Sequence, residues 1–338
     1  MAKKKIVSLI WKSLVDKIGI PVPDDYEVVW LDEYPDDEEF IQKAKGCEYM
    51  WFGSATTVSD KALEGLSDVR FIQALGVGYN GLNLDICNKK GIIVSNNRAV
   101  NARPTAELAL ALMLMCLRRL AEADKEIKEG RFFENFDEYR TRGQHELGGC
   151  KVGIVGLGAV GRSLAAMLRP FGPEVVYYDI QPADSKTEEE LGVRLVSRDE
   201  LFRSCDIISF HVPASKDTFM MIDKKALSQM KEGVILINAA RGDIFDTQAI
   251  VEGLESGYIG AAGLDVLYPE PPELSHPFFH LSPSANKRVV LTPHMGGTTD
   301  EAFARMMHMS YENFRLMDEG KWPNNVVNHP EGIEHEKN

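Results

Sequence analysis

Three polar residues in the second half of the chain each follow a short apolar run: Arg241 in NAARG, Glu270 in PEPPE and His294 in TPHMGG. An arginine is a permanent cation whose planar fork can hold a carboxylate in two parallel hydrogen bonds and polarise a neighbouring carbonyl. A histidine titrates near neutrality, so it can give a proton to an oxygen or take one from it. A glutamate hydrogen-bonded to that imidazole would favour the charged ring and raise its pKa. Taken singly, each has a plainer reading. A strand-end arginine is commonly solvated or ion-paired, one histidine of eight is commonly structural, and a glutamate in a proline-rich loop is commonly just exposed. What reverses those readings is the company the three keep.

That company is KVGIVGLGAVGRSLAAMLRPFGPEVVYYD, residues 151–179. It reads as an apolar strand, a glycine turn, an amphipathic helix and a second apolar strand that ends in a carboxylate. Gly156 permits a tight turn, Gly158 lets backbone approach a pyrophosphate, and Gly161 lets the helix sit close to the sheet. Free N–H groups at the helix start then stabilise diphosphate charge. Asp179 would accept hydrogen bonds from a ribose diol and repel a 2′-phosphate, which favours NAD over NADP. With a nicotinamide projecting toward the carboxyl ends of the later strands, the first three residues gain a joint purpose. Arg241 would hold a substrate carboxylate and polarise its carbonyl, and His294 would exchange the proton, with Glu270 as its partner. The chemistry is hydride transfer between NAD(H) and a 2-oxo or 2-hydroxy acid.

The elements that must position these groups alternate along the chain. The 338 residues imply two domains. Hydrophobic residues at 44% and charged ones at 26% give an ordinary globular balance. A net charge of −13 argues against nucleic acid or an anionic membrane as partner. The five cysteines form no C-x-x-C pair, no signal peptide is evident, and no apolar run is long enough to span a bilayer, so a cytoplasmic location is expected. No metal site is expected. Strands are expected at residues 5–10, 26–31, 49–53, 70–75 and 92–95, with helices at 36–45 and 60–65 between them. The first strand is followed by Trp11-Lys12-Ser13 in place of glycines, so this first α/β domain does not bind the dinucleotide. One long helix is expected from Pro104 to Gly130, apolar on every side over residues 108–117. Such a face must be covered, by a domain or by a second subunit. Further strands are expected at 206–212, 234–238, 260–265 and 289–291. Ser197 with Glu200 and Thr298 with Glu301 have the spacing of capping boxes. The last helix follows the last strand of the nucleotide domain and is expected to return to the first domain. Residues 1–100 with 297–338 would then form a discontinuous substrate domain, with 101–296 inserted as the nucleotide domain and a cleft between them.

On these motifs the chain resembles the D-isomer-specific 2-hydroxyacid dehydrogenases, among them the glyoxylate and hydroxypyruvate reductases, over nearly its whole length. The resemblance rests on GLGAVG with Asp179, HVPASKDT, INAARGDIFD, LDVLYPEP and LTPHMGG. It implies that Arg241, Glu270 and His294 are the catalytic set, with Arg241 and His294 also touching cofactor and substrate. It implies pyrophosphate contacts from Ala159 and Val160, and an adenosine side made by His211, Val212, Pro213 and Thr218. Ala239, Ala240, Asp265, Gly296 and Gly297 would surround the nicotinamide, Thr105 would add a cofactor contact, and Val77 and Gly78 would meet the substrate carboxylate. The architecture it implies is a Rossmann-type NAD-binding domain inserted into a flavodoxin-like α/β substrate domain, with a homodimer formed through the NAD domain.

Departures from the family pattern narrow the substrate. The formate branch has glutamine at the position of Glu270, and the phosphite branch has lysine at that of Val77. Phosphoglycerate dehydrogenases commonly carry an arginine in the loop after the third strand, where this chain has Trp51-Phe52-Gly53-Ser54, and a C-terminal regulatory domain after residue 338 is not expected. The expected substrate is a small 2-oxoacid such as glyoxylate, hydroxypyruvate or pyruvate. Trp51, Phe52 and Tyr79 either line a pocket for a bulkier apolar acid or fill the domain core. The alternative of another class is an NAD(H)-sensing interaction protein resembling dehydrogenase-like corepressors, and within the family a phosphoglycerate- or phosphite-type dehydrogenase.

Overall fold

The structure, a computed structural model, describes residues 3–31, 33–53, 56–141 and 144–332, so Ser54 lies outside the described residues. The chain divides into two compact units, Met1–Asn101 with Thr298–Asn338, and Ala102–Gly297.

The first unit is built on five parallel strands: β1 Lys4–Ser8, β2 Tyr26–Trp30, β3 Tyr49–Phe52, β4 Phe71–Ala74 and β5 Ile93–Ser95. Their order, β2-β1-β3-β4-β5, is the flavodoxin-like one. Each strand lies within a residue or two of its expected span. Register explains why they are apolar on both faces. Ile6, Tyr49, Phe71 and Ile93 form one row across the sheet, and Val7, Met50, Ile72 and Val94 form the next. The two rows belong to separate cores on opposite faces.

The first of those faces is closed by the helix Asp300–Asp318, which comes from the far end of the chain. Phe314 stacks on Tyr49 at 5.4 Å and meets Phe71 edge-on at 5.8 Å. Trp51 is wholly buried, 5.5 Å from Tyr311. Phe52 is equally buried on the opposite face. Both side chains fill the unit's core, which removes them from any substrate pocket. Buried amides reinforce the return: Asn97 Nδ2 donates to the carbonyls of Leu75 (2.8 Å) and Met306 (2.9 Å), and Asn313 Nδ2 donates to Gln73 Oε1 at 2.7 Å. The N-cap of this helix is Thr299, whose hydroxyl accepts from Ala302 N at 3.2 Å, one residue later than expected. Thr298-x-x-Glu301 has the right residue types, but a cap is chosen by where the chain turns helical. Beyond it the chain runs along β5, where the Asn328 amide bonds both Val94 N and Ile92 O at 2.8 Å, as a neighbouring strand would.

The second unit carries seven parallel strands: β6 Lys151–Val155, β7 Glu174–Tyr178, β8 Val193–Leu195, β9 Ile207–Phe210, β10 Val234–Asn238, β11 Ile259–Leu264 and β12 Val289–Leu291. The order β12-β11-β10-β9-β6-β7-β8 reverses between β6 and β9, as in a Rossmann fold. The helix Ala102–Arg118 lies on this sheet, and Gly263 makes room for it: a Cβ there would stand 2.8 Å from Leu112 Cβ. The single helix expected to run to Gly130 is two helices. Arg119 takes a left-handed φ of 49°, and a new helix, Leu120–Lys128, starts after it. The break brings Glu122 and Glu126, both buried, within 2.9 Å of Lys287 Nζ. A third helix, Phe132–Thr141, follows where none is expected from the sequence. Ser197 does cap its short helix, accepting from Glu200 N at 3.1 Å. All five cysteines are buried and free, and no helix among the described residues is long and apolar enough to cross a membrane.

The Asp318 carboxylate closes the first unit by receiving Lys4 Nζ at 2.6 Å, Tyr26 OH at 2.5 Å and Tyr49 OH. Burial alone would favour the neutral acid, but these bonds outweigh it and hold the carboxyl below its ordinary range. Asp318→Ala should therefore destabilise the protein by about 3 kcal/mol in urea unfolding at pH 7, because it leaves the hydroxyl protons of two buried tyrosines, Tyr26 and Tyr49, without their acceptor. The stability Asp318 supplies is complete above its unfolded pKa near ~4 and lost as pH falls below it. An unchanged urea midpoint would show that the carboxylate does not tie the helix down.

Candidate active site

Parallel register brings the candidate residues to one line. Val155, Tyr178, Phe210, Asn238, Leu264 and Leu291 are partners in a continuous row across six strands. The next residue on each strand is therefore Gly156, Asp179, His211, Ala239, Asp265 and Thr292. The ladder bonds extend to this outer row: Gly156 N to Tyr178 O at 2.8 Å, His211 N to Val155 O at 2.7 Å, Asp265 N to Asn238 O at 2.9 Å and Thr292 N to Leu264 O at 3.0 Å. In a doubly wound sheet this edge, around the reversal between β6 and β9, is where ligands bind.

The three glycines after β6 are required for three different reasons. Gly156 has φ +95° and no room for a side chain, since a Cβ would stand 2.8 Å from His211 O. Gly161 brings the helix Ala159–Leu168 against the turn; a Cβ there would stand 2.2 Å from Gly156 O. At Gly158 a Cβ would meet nothing within 4 Å, so no protein contact demands this glycine. It caps the helix without a side-chain bond, and the first amides of the helix, those of Ala159 and Val160 among them, have no intrahelical partner. Open backbone at an uncapped helix start fits a pyrophosphate. Asp179 pins the turn, with Leu157 N on one carboxylate oxygen at 2.7 Å and Gln181 N on the other at 3.0 Å. Each oxygen keeps a lone pair for a ribose hydroxyl.

Just after β9, the His211 imidazole lies 2.8 Å from Ser209 Oγ through Nε2, while Nδ1 is buried without a protein partner. Val212 and Pro213 follow. The Thr218 hydroxyl is engaged within this loop, donating to Pro213 O at 2.7 Å and accepting from Ser215 N at 2.8 Å. Its role in the structure is to close the loop.

The catalytic candidates stand beyond the ends of the adjacent strands β10, β11 and β12. After β10, Asn238 organises the turn: its side chain accepts from Ala240 N at 3.0 Å and donates to Arg241 O at 2.8 Å. Ala239 and Ala240 keep the turn small, and the half-buried Arg241 donates from Nη1 to Ala240 O at 2.7 Å. Gly242 packs under the next loop, since a Cβ would lie 2.1 Å from Leu267 O. After β12, His294 holds φ +53°, a left-handed conformation that costs a non-glycine residue about 1–2 kcal/mol. Asp265 holds it there. Its backbone carbonyl takes His294 N at 2.7 Å, and its buried carboxylate takes Thr292 Oγ1 at 2.6 Å, Met295 N at 2.9 Å and Gly296 N at 2.8 Å. A Cβ on Gly296 would come within 3.5 Å of Thr105 Cγ2, so those two positions adjoin, with Gly297 next in the chain.

Glu270 Oε1 lies 2.6 Å from His294 Nδ1. That bond orients the ring and leaves Nε2 for a reacting group. Among residues missed from sequence, Asn238 and Thr292 had no signal beyond their position at strand ends. Val77 and Gly78 lie in the first unit, in the turn after β4, where Val77 O accepts from Asn96 Nδ2 at 2.7 Å.

Burial pushes the His211 pKa down to about 4, so the ring is neutral at physiological pH. A histidine depressed in this way leaves stability whole above its unfolded value near ~6.5, and stability falls as pH drops from there toward its folded value. Urea midpoints at pH 7 and pH 5 should therefore differ more for the native protein than for His211→Gln, by up to about 2 kcal/mol. Equal acid losses in the two proteins would count against a buried neutral ring.

Residues 110–296 match the family model described as D-isomer specific 2-hydroxyacid dehydrogenase, NAD binding domain. The D-3-phosphoglycerate dehydrogenase of Mycobacterium leprae is 35% identical over 98% of this chain, which spans only 60% of that relative's length. The glyoxylate reductase of Korarchaeum cryptofilum is 33% identical over 89% of both chains. Among solved structures, the holo form of Rhodotorula graminis D-mandelate dehydrogenase superposes with a TM-score of 0.84, covering 97% of this chain and 98% of its own at 27% identity. With the matched NAD-binding domain and relatives of this identity and coverage, the chain belongs to the D-isomer-specific 2-hydroxyacid dehydrogenase family.

Proposed function

We propose that the protein interconverts a small 2-oxoacid and its D-2-hydroxyacid, with Arg241, Glu270 and His294 as the catalytic residues. The observation that carries this reading is the 2.6 Å bond between Glu270, beyond β11, and His294 Nδ1, beyond β12, with Arg241 beyond β10 on the other side of β11. NAD(H), when bound, supplies or accepts the hydride at the substrate's C2. Arg241 binds the carboxylate and polarises the carbonyl. His294 delivers a proton from Nε2 to the carbonyl oxygen in reduction and removes it in oxidation, while Glu270 fixes which nitrogen faces the substrate. The substrate-carboxylate contacts that the family resemblance implies for Val77 and Gly78 belong to the same proposal. A homodimer through the NAD-binding unit is part of this proposal. Leu108, Leu110 and Leu114 on the helix Ala102–Arg118 are only partly buried within the chain, an apolar face suited to a second copy.

Glyoxylate, hydroxypyruvate and pyruvate are the favoured substrates. Support comes from the commitment of Trp51 and Phe52 to the core, which leaves neither to line a pocket for a bulky side chain. It comes also from the glyoxylate reductase relative that aligns along most of both chains.

Oxidation of NADH followed at 340 nm against a panel of 2-oxoacids tests the reading directly. Tight NADH binding with no turnover on any of them would overturn it. His294→Ala should lower kcat by about 10²–10⁴-fold with little change in KM, the loss of a general acid. Arg241→Ala should chiefly raise KM for the oxoacid; native kinetics in either variant would remove that residue from the catalytic set. Asp179→Ala should narrow the preference for NADH over NADPH by about tenfold or more in kcat/KM. A preference that stays unchanged would assign the ribose contact elsewhere.

A further inference from the structure

We propose that His276 is a positioning residue for the Glu270–His294 pair, acting through the backbone carbonyl of Tyr268. The proposal rests on the reading of Glu270 given above. Glu270 is the least supported member of its set. Its side chain is 40% exposed, and it lies in an irregular excursion between β11 and β12, with a proline on each side and no ladder bond of its own. Yet its carboxylate must stay within hydrogen-bond reach of one ring nitrogen, so something has to hold the turn.

Phe278 anchors the excursion in the unit's main core, where it is 4% exposed. His276 is almost as buried, at 5%, and stacks on Phe278 with ring centres 5.6 Å apart and planes 14° from parallel. Both ring nitrogens face backbone groups whose roles are unambiguous. Phe278 N can only donate, and it reaches Nδ1 at 3.4 Å; Tyr268 O can only accept, and it lies 3.1 Å from Nε2. Nε2 is therefore the donor, and the ring bridges the core-anchored end of the excursion to a carbonyl two residues before Glu270. The same carbonyl receives the Thr247 hydroxyl at 3.4 Å, and Leu267 just before it is the residue that packs over Gly242 beside Arg241. His276 is thus placed to hold one turn against both the Arg241 turn and the core. Glutamine can return a donor to Nε2's position, whereas leucine fills the volume and donates nothing.

The test is a double-mutant cycle on 2-oxoacid reduction at saturating NADH, with NADH binding followed by fluorescence. His276→Leu should lower kcat about tenfold, yet add less than about twofold to the loss already present in Glu270→Gln. NADH affinity should be unchanged, and His276→Gln should recover most of the native kcat. Equal losses from His276→Leu on both backgrounds would mean general damage and overturn the proposal, as would native kcat in His276→Leu. If Glu270→Gln itself leaves kcat native, the role of Glu270 fails first and this inference falls with it. Should His276→Leu not fold, His276→Gln decides alone: near-native kcat supports the donor role, and a tenfold loss despite the restored donor rejects it.

Discussion

The row of backbone pairings that ends the seven-stranded sheet is the constraint from which the candidate site derives. Parallel strands all run the same way, so their carboxyl ends share one edge, and hydrogen-bonded register aligns those ends to within a residue. Residues far apart in the chain, from Gly156 to Thr292, are consequently neighbours along a line whose spacing is set by the ~4.8 Å between strands. Nothing in the loops has to achieve this. Arg241 and His294 sit beyond β10 and β12, two strands apart, so the sheet alone sets their groups roughly ~10 Å apart before any side chain is placed.

The loops then convert an aligned edge into fixed side chains, and each does so with short side-chain-to-backbone bonds. Asn238 closes the turn that presents Arg241, and Thr218 closes the loop after β9. Asp265 closes the turn of His294, using three donors to stabilise a backbone conformation that histidine does not favour. Glycine enters where the loops must touch, at 242 under Leu267 and at 156 against His211. In the first unit the same economy joins the chain's two ends. One face of the sheet is covered by the short helix Lys12–Ile18 together with the returning helix Asp300–Asp318, with Phe314 at the centre of the aromatic contacts.

Features governed by short-range pattern could be read from the sequence. Strands β6, β10 and β12 lie at their expected spans, because each is a short, mostly apolar run set off by glycine or polar residues. The glycine turn and Asp179 were readable since each spacing has one geometric purpose. What escaped was decided by tertiary contact. No local signal marks Arg119 as left-handed; the break goes with a contact of two glutamates to a lysine more than 160 residues away. Thr298 and Thr299 offer nearly the same cap, and the chain direction picks the second. Trp51 and Phe52 read equally well as pocket or core until register put them on opposite, wholly covered faces. Asn238 and His276 were invisible as positioning groups, since their partners are backbone atoms, and backbone atoms have no letter.

Three carboxylates serve this edge, and the structure separates their tasks by what already occupies their oxygens. Asp179 spends one lone pair of each oxygen on backbone amides and keeps the rest, so it can steady the glycine turn and still meet a ribose. Asp265 is buried with three donors converging on it, one on Oδ2 and two on Oδ1. It is a framework anion, committed to the turn and unavailable to a proton in transit. Glu270 is the opposite case, half exposed and with its bond to His294 as its one described contact. Of the three it alone is able to respond when the imidazole's charge changes, because it is not already held by the fold. The division follows from burial and donor count alone: under the proposed reading, glutamine in place of Glu270 would alter the chemistry, whereas an amide in place of the Asp265 carboxylate would disturb the loop that carries the histidine.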